Sequence, residues 1–319
     1  MEQQLTDRPT INDLKQWLNA PLADALGIQH GELEFSLLSS GNKVVDGTTV
    51  LLLGNPADKP RWVILCSPPV APDMVKRAMD RAHQAKLLLG SSAGSHILDP
   101  LAQGYVQGLS YAVLPLCATL SDTRLWWIQR ALLRPSIFHW LRQATECTVR
   151  DAEADSIEQN FVAPLQRIIW LEPLRGRLRA AASSAIERLN DGAWTPKHVL
   201  MHGDLWKGNI LVRPQNNILR RLDMSSRFVI TDWAGSEVSG YAFYDLVRLA
   251  DSMRLNASNL SREVNRHCNL LGCERTDATS YLMAALGHIS MNLEYFPIER
   301  YTQMAKSCFA TLERALTCH

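Results

Sequence analysis

The first regularity along the chain is helical. Ile11, Leu14, Trp17, Leu18, Leu22 and Leu26 recur at three- and four-residue spacing behind Thr10, a residue suited to cap a helix, so the pattern predicts a helix over 10–27. The period then shortens. Residues 34–39, 48–53 and 61–66 are brief apolar runs parted by Ser39-Ser40-Gly41-Asn42 and by Gly54-Asn55-Pro56-Ala57-Asp58, the turn chemistry of antiparallel strands. Residues 74–89 contain neither Pro nor Gly and predict a second helix. Residues 98–106 and 111–116 predict two more strands around a turn at Gln107-Gly108.

From residue 121 helical periods dominate. Asp122 is placed to cap a segment carrying Leu125, Trp126, Ile128, Leu132 and Leu133. Leu171, Leu174, Leu178, Ala182, Ile186 and Leu189 predict one long helix. Short strand-like pieces at 198–201, 210–212 and 228–231 flank polar loops, and the tail from about 241 is helical with breaks near Gly272 and Pro297. A β-rich first third before a helical remainder predicts an α+β protein of two unequal lobes, 1–117 and 118–319.

Composition narrows the function classes. Hydrophobic residues at 46% and charged residues at 20% suit a soluble globular chain of 319 residues. With 33 basic against 32 acidic residues there is no basic excess, which argues against a nucleic-acid partner bound through phosphates. No stretch approaches the ~20 apolar residues of a membrane helix. The seven scattered cysteines suit reduced thiols in a cytoplasmic protein, and His267, Cys268 and Cys273 match no common zinc spacing.

Two segments carry chemistry. In the first, an apolar run at 198–201 leads into His202-Gly203-Asp204-Leu205-Trp206-Lys207-Gly208-Asn209 and then a second apolar run. Such a tight loop directs one carboxylate and one amide into the same cleft. There the carboxylate can take a proton from an attacking hydroxyl, and the amide oxygen can ligate Mg2+. In the second, the apolar run 228–231 ends in Asp232-Trp233-Ala234-Gly235, placing a second carboxylate at a strand end. Phosphoryl transfer needs such groups, because positioning and neutralising phosphate charge make up most of its catalysis.

The segment 202–209 resembles the HGDxxxxN catalytic loop of the aminoglycoside phosphotransferase and choline kinase family, which is related to protein kinases. The resemblance implies a bilobal kinase-like fold and an ATP-dependent phosphotransferase acting on a hydroxyl of a small molecule or glycan. It implies Asp204, Asn209 and Asp232 as the catalytic set, with Asn209 and Asp232 holding Mg2+. Asp245 looks like the family's aspartate that braces the catalytic loop, with His202 in support. By element order, Gly41 and Lys43 fall in the loop expected to cover the nucleotide, and Leu114 and Leu116 at the hinge expected to face adenine. The C-terminal helices are expected to build the acceptor site, with a sugar preferred; acidic residues such as Asp251, Glu294 and Glu299 would suit a cationic acceptor instead.

The family pattern fails in the first lobe. Its third strand normally carries a lysine for the nucleotide phosphates, paired with a glutamate on the next helix. Here that strand reads Trp62-Val63-Ile64-Leu65-Cys66, with Cys66 or a neighbour at the expected place, and the helix offers Asp80, His83 and Gln84. Three explanations stand open: a lysine from elsewhere, Lys43 or Lys76; a different mode of nucleotide binding; or a kinase-like module that binds nucleotide or a partner protein without turnover. The connection 214–227, with Arg220, Arg221 and Arg227, is expected to be an extended basic hairpin.

Overall fold

The computed structural model describes residues 9–28, 33–39, 47–55, 59–120, 126–214, 227–293 and 296–318. The first helix, α1 (Ile11–Leu26), is closed at both ends by its own chemistry. Thr10 and Asp13 form a reciprocal capping box, and Gly27 ends the helix in the left-handed conformation. Five antiparallel strands follow in the order expected: β1 (Glu34–Ser39), β2 (Thr49–Gly54), β3 (Trp62–Cys66), then α2 (Met74–Ala93), β4 (Ala102–Val106) and β5 (Leu109–Pro115). They form one sheet in the order β1-β2-β3-β5-β4.

The pleat decides what each face of this sheet does. Leu51, Ile64 and Val113 stand opposite one another, and Cys66 opposite Tyr111. All are buried against Leu14, Leu18 and Leu22 of α1. Period-two alternation sends Val50, Leu52, Val63, Leu65, Ala112 and Leu114 to the other face. The helix α2 packs its Ala82, Ala85 and Leu89 into a different, larger core shared with the helical part of the chain.

That larger part begins with β6 (Ala118–Thr119) and continues through α3 (Trp126–Thr148), β7 (Arg150–Asp151), α4 (Ala154–Ile157), α5 (Ala163–Trp170) and α6 (Arg177–Asn190). The long helix expected around 171–189 begins only at Arg177, as α6. Leu171 is extended, Pro173 sits in a short 3-10 turn, and Gly176 at φ +87 lets the chain change direction before α6. Two small sheets carry the polar loops: β10 (Phe228–Ile230) beside β9 (Ile210–Val212) and β6, and β11 (Glu237–Gly240) beside β8 (Lys197–Met201) and β7. The strand β11 was absent from the sequence-based expectation. Its short run Glu237-Val238-Ser239-Gly240 has too little apolar alternation to announce a strand.

The chain closes with α7 (Tyr244–Ser252), α8 (Ala257–Leu271), α9 (Asp277–Met291) and α10 (Ile298–Leu316). Gly272 and Pro297 mark breaks as expected, and a further break falls at Met253–Asn256, where Arg254 adopts φ +51. Among the described residues, no helix is long and apolar enough to cross a membrane. The helix α3 starts at Trp126; Asp122, its expected cap, lies outside the described residues, as does most of the expected basic hairpin, 215–226.

Candidate active site

The strand β8 is buried along Val199, Leu200 and Met201 and delivers His202-Gly203-Asp204 into a tight loop. That loop is braced from below by α7. Asp245, in the first turn of α7, accepts the backbone N–H of His202 at 2.5 Å and of Gly203 at 3.1 Å. Burial pushes the Asp245 carboxyl up to about 7 against the opposing pull of these N–H groups.

His202 is a strut. Its Nε2 faces the Thr231 carbonyl at 3.0 Å, and its Nδ1 accepts the Asp204 N–H at 3.3 Å. A ring that donates on one side and accepts on the other must be neutral. Burial, which pushes its pKa down to about 4, keeps it so. Gly203 has φ +84, and a Cβ there would lie 2.3 Å from the Gly235 carbonyl oxygen. Only glycine allows the two polar loops to approach this closely.

Asn209 joins the two loops. Its Nδ2 lies 2.9 Å from the Asp204 carbonyl oxygen, 3.2 Å from Asp204 Oδ2 and 3.5 Å from Asp232 Oδ2. The Thr231 N–H donates to the Asn209 carbonyl at 3.0 Å, so the backbones are stitched as well. Asp232 follows β10 in the left-handed region at φ +67, an uncommon conformation for a residue with a side chain. Behind it, Trp233 is buried against His202 and Trp140 and donates its indole N–H to Ile230.

One participant is not legible in the sequence. Arg248, on α7, donates from Nη2 to Asp204 Oδ1 at 2.9 Å. Asp204 is therefore held by Arg248 on one oxygen and by Asn209 on the other, while 46% of its side chain remains exposed. The available signal was the i,i+3 spacing of Asp245 and Arg248, which places both on one helix face. Lys207 donates its backbone N–H to Ser252 Oγ at the end of α7, and Trp206 is partly exposed beside Gly208.

The chemistry of this donor set fits a hard divalent cation. Asn209, whose amide nitrogen is turned to the two aspartates, supplies one amide oxygen and Asp232 two carboxylate oxygens, the hard donors such a cation takes.

The first lobe departs from expectation in several places. Cys66 of β3 is buried under α1. Leu65 lies on the opposite face, in a half-exposed aliphatic surface with Val50, Leu52 and Val63. Lys76 does not turn toward these residues; it pairs with Asp80 at 2.5 Å on an exposed part of α2. Gly41 and Lys43 lie outside the described residues. Leu114 is buried opposite Val63, and the Leu116 N–H is taken by the Arg61 carbonyl at 2.8 Å, so it is not an open donor.

No glutamate of α2 meets the sheet. Two buried serines dock the helix instead. Ser110 Oγ donates to the Pro72 carbonyl at 2.8 Å and accepts the Lys76 N–H at 3.1 Å. Ser67 Oγ accepts the Val75 N–H at 2.9 Å and lies 2.7 Å from Ser110 Oγ. From α2, Arg81 reaches the loop after β10 and donates to the Ala234 carbonyl. Asp251 is held by Thr311 and Ser307 of α10, Glu299 lies in the first turn of α10, and Glu294 lies outside the described residues.

No protein-family model matches the sequence, and a search of curated proteins finds no match. Solved structures do match in fold. A thermostable mutant of aminoglycoside phosphotransferase APH(4)-Ia aligns over 92% of this chain and 98% of its own, at TM-score 0.52 and 13% identity. Another form of that enzyme, in a ternary complex with ADP and hygromycin B, covers 93% of this chain and 98% of its own at TM-score 0.51 and 14% identity. A Haemophilus somnus 129PT protein designated a fructosamine-3-kinase covers 93% of this chain and 97% of its own at TM-score 0.52 and 12% identity. The chain has the bilobal, protein-kinase-like α+β fold of these proteins.

Proposed function

We propose that this protein is an ATP-dependent phosphotransferase that moves the γ-phosphoryl group to a hydroxyl of a small molecule or glycan, a sugar being the preferred acceptor. The observation that carries this reading is the meeting of Asp204, Asn209 and Asp232 from two separate loops, bridged by one amide at 3.2 and 3.5 Å.

In this reading Asp204 orients the acceptor hydroxyl and takes its proton. Arg248 and Asn209 hold its two oxygens, each of which keeps a further lone pair for that task. Asn209 Oδ1 and the Asp232 carboxylate are the oxygens that would hold Mg2+, which when bound neutralises phosphate charge. His202 and Asp245 fix the loop so that its carboxylate needs little reorganisation on reaction. Residues 1–117 cover the nucleotide, with the aliphatic surface of Leu52, Val63 and Leu65 as its ceiling and the backbone near Leu114 at the adenine edge. Residues 118–319 carry the catalytic loop and the acceptor site. Seven free cysteines suit a cytoplasmic setting.

Leucine at position 65 favours a second reading, a kinase-like module that binds nucleotide without turnover. Thermal unfolding with Mg-ATP, followed by ATP consumption with a panel of sugars, separates the two. The enzyme reading expects a raised Tm and a turnover that Asp204→Ala lowers by about 10²–10⁴-fold. A raised Tm with no turnover on any acceptor supports the binding module. No shift at millimolar Mg-ATP contradicts both.

A further inference from the structure

A second concave site lies between α3 and α8, a cavity of about 320 Å3 lined by Arg134, Arg142, Arg262 and Arg266. Among the described residues that line it, the one acid is Glu263. Glu263 is already paired on both oxygens: Oε2 takes Arg142 Nη1 and Oε1 takes Arg266 Nη1, both at 2.6 Å. That carboxylate is a strut that holds two guanidinium groups, and no other acid among the described lining residues faces the remaining two. Among the described residues, Arg262 donates to the neutral amide of Asn259 alone, and Arg134 has a buried Nε with no partner.

The positive field extends beyond the cavity wall. Arg130 lies close enough to Arg134 and Arg254 that, after burial, their charges hold its own pKa below the usual arginine value. Arg254 carries its guanidinium from a left-handed position at φ +51, where glycine would be unstrained. Four guanidinium groups around one neutralised carboxylate form the kind of forked donor set that matches phosphate oxygens. The remaining wall is apolar, with Phe138, Pro135 and Leu255, so the cavity suits an anion attached to a larger body.

Its position ties it to the catalytic loop. Arg248, which holds Asp204, lies on α7, and Leu255, which lines the cavity, follows three residues after the end of that helix. Ser252 between them accepts the N–H of Lys207.

We propose that this cavity is an acceptor subsite for a phosphate group already present on the acceptor, so that the protein phosphorylates a hydroxyl of a phosphorylated molecule. The assignment to an acceptor rests on the phosphotransferase reading; the binding of phosphate does not. The phosphate is carried either by a soluble sugar or by a lipid headgroup, and the chemistry of recognition is the same for both.

The test uses the full chain and reads two ligands separately. Glucose 1-phosphate is titrated against glucose, and vesicles of phosphatidylcholine with phosphatidic acid against phosphatidylcholine alone. Phosphate-dependent binding is expected, weakened at least tenfold in both Arg262→Glu and Arg134→Gln and weakened by added salt. Stabilisation by Mg-ATP is expected to be unchanged in both variants and reduced in Asp232→Asn, so loss of one ligand is distinguishable from loss of the other. Binding of glucose 1-phosphate assigns a soluble source, and binding confined to the phosphatidic acid vesicles assigns a lipid source. Equal binding of glucose and glucose 1-phosphate with no preference for phosphatidic acid overturns the proposal. So does phosphate binding that survives both substitutions. Arg262 is exposed, so its variant tests the field without endangering the core.

Discussion

The two polar loops around Asp204 and Asp232 and the five-stranded sheet of the first lobe are held together by opposite materials. In the loops, nearly every step is polar and tied: Asp245 to two backbone N–H groups, His202 to Thr231 and Asp204, Asn209 to both aspartates, and Arg248 to Asp204. In the sheet, Leu65 stands on one face among Val50, Leu52 and Val63, and the helix α2 is docked by serine hydroxyls. The difference teaches that one fold can be tied in two ways. A loop that presents charge needs a rigid polar scaffold, whereas docking a helix on a sheet needs only satisfied hydrogen bonds, which two serines supply as well as an ion pair.

Substitutions sharpen this contrast, beginning with the loop. Gly203→Ala places a Cβ 2.3 Å from the Gly235 carbonyl oxygen at φ +84. It should destabilise the protein by about 3–5 kcal/mol, read by chemical denaturation. A change under 1 kcal/mol would mean the loops are not held this closely.

His202 gives a pH signature. Its folded pKa of about 4 lies below the unfolded value of 6.5, so the stability it confers is complete above about 6.5. Below that the unfolded chain takes up a proton that the buried ring refuses, and the advantage is lost as pH falls toward 4. Relative to His202→Asn, wild type should lose up to ~3 kcal/mol across that window. A difference independent of pH would show that the ring is not buried in its neutral form.

The sheet side should respond less. Ser67→Ala with Ser110→Ala removes the hydroxyls that cap α2 and should cost about 1–2 kcal/mol in stability. The smallest effect is expected from Leu65→Lys. Without a glutamate on α2 to anchor it, the ammonium should change Mg-ATP affinity by less than ~0.7 kcal/mol, about threefold. A tenfold tightening would instead mean that the aliphatic ceiling merely lacks its cation.

How far each region was legible in the sequence follows the same divide. The strand-loop-strand at 198–212 and the strand-end Asp232 declare themselves because apolar runs bracket a fixed polar spacing, and Asp204, Asn209 and Asp232 do meet. Arg248 was hidden because an arginine on a helix face is common and only the fold aims it at Asp204. In β3 the apolar run was plain, but every residue of it is hydrophobic. Which of Leu65 and Cys66 faced α1 needed the register to Leu51 and Val113. The break between α5 and α6 was masked because Leu171 and Leu174 continue the apolar period while Pro173 and Gly176 interrupt the backbone. The arginine cavity draws on α3 and α8, whose arginines are more than a hundred residues apart in sequence, so no local pattern announces it.

The central claim is a magnesium site made by oxygens of Asn209 and Asp232 next to Asp204. Its most direct measurement is ATP affinity by calorimetry with and without Mg2+, in wild type and in Asp232→Asn. Wild type should bind ATP at least about tenfold more tightly with Mg2+ present, and the variant should lose that increment while keeping its metal-free affinity. An Asp232→Asn protein that retains the full magnesium effect would contradict the account.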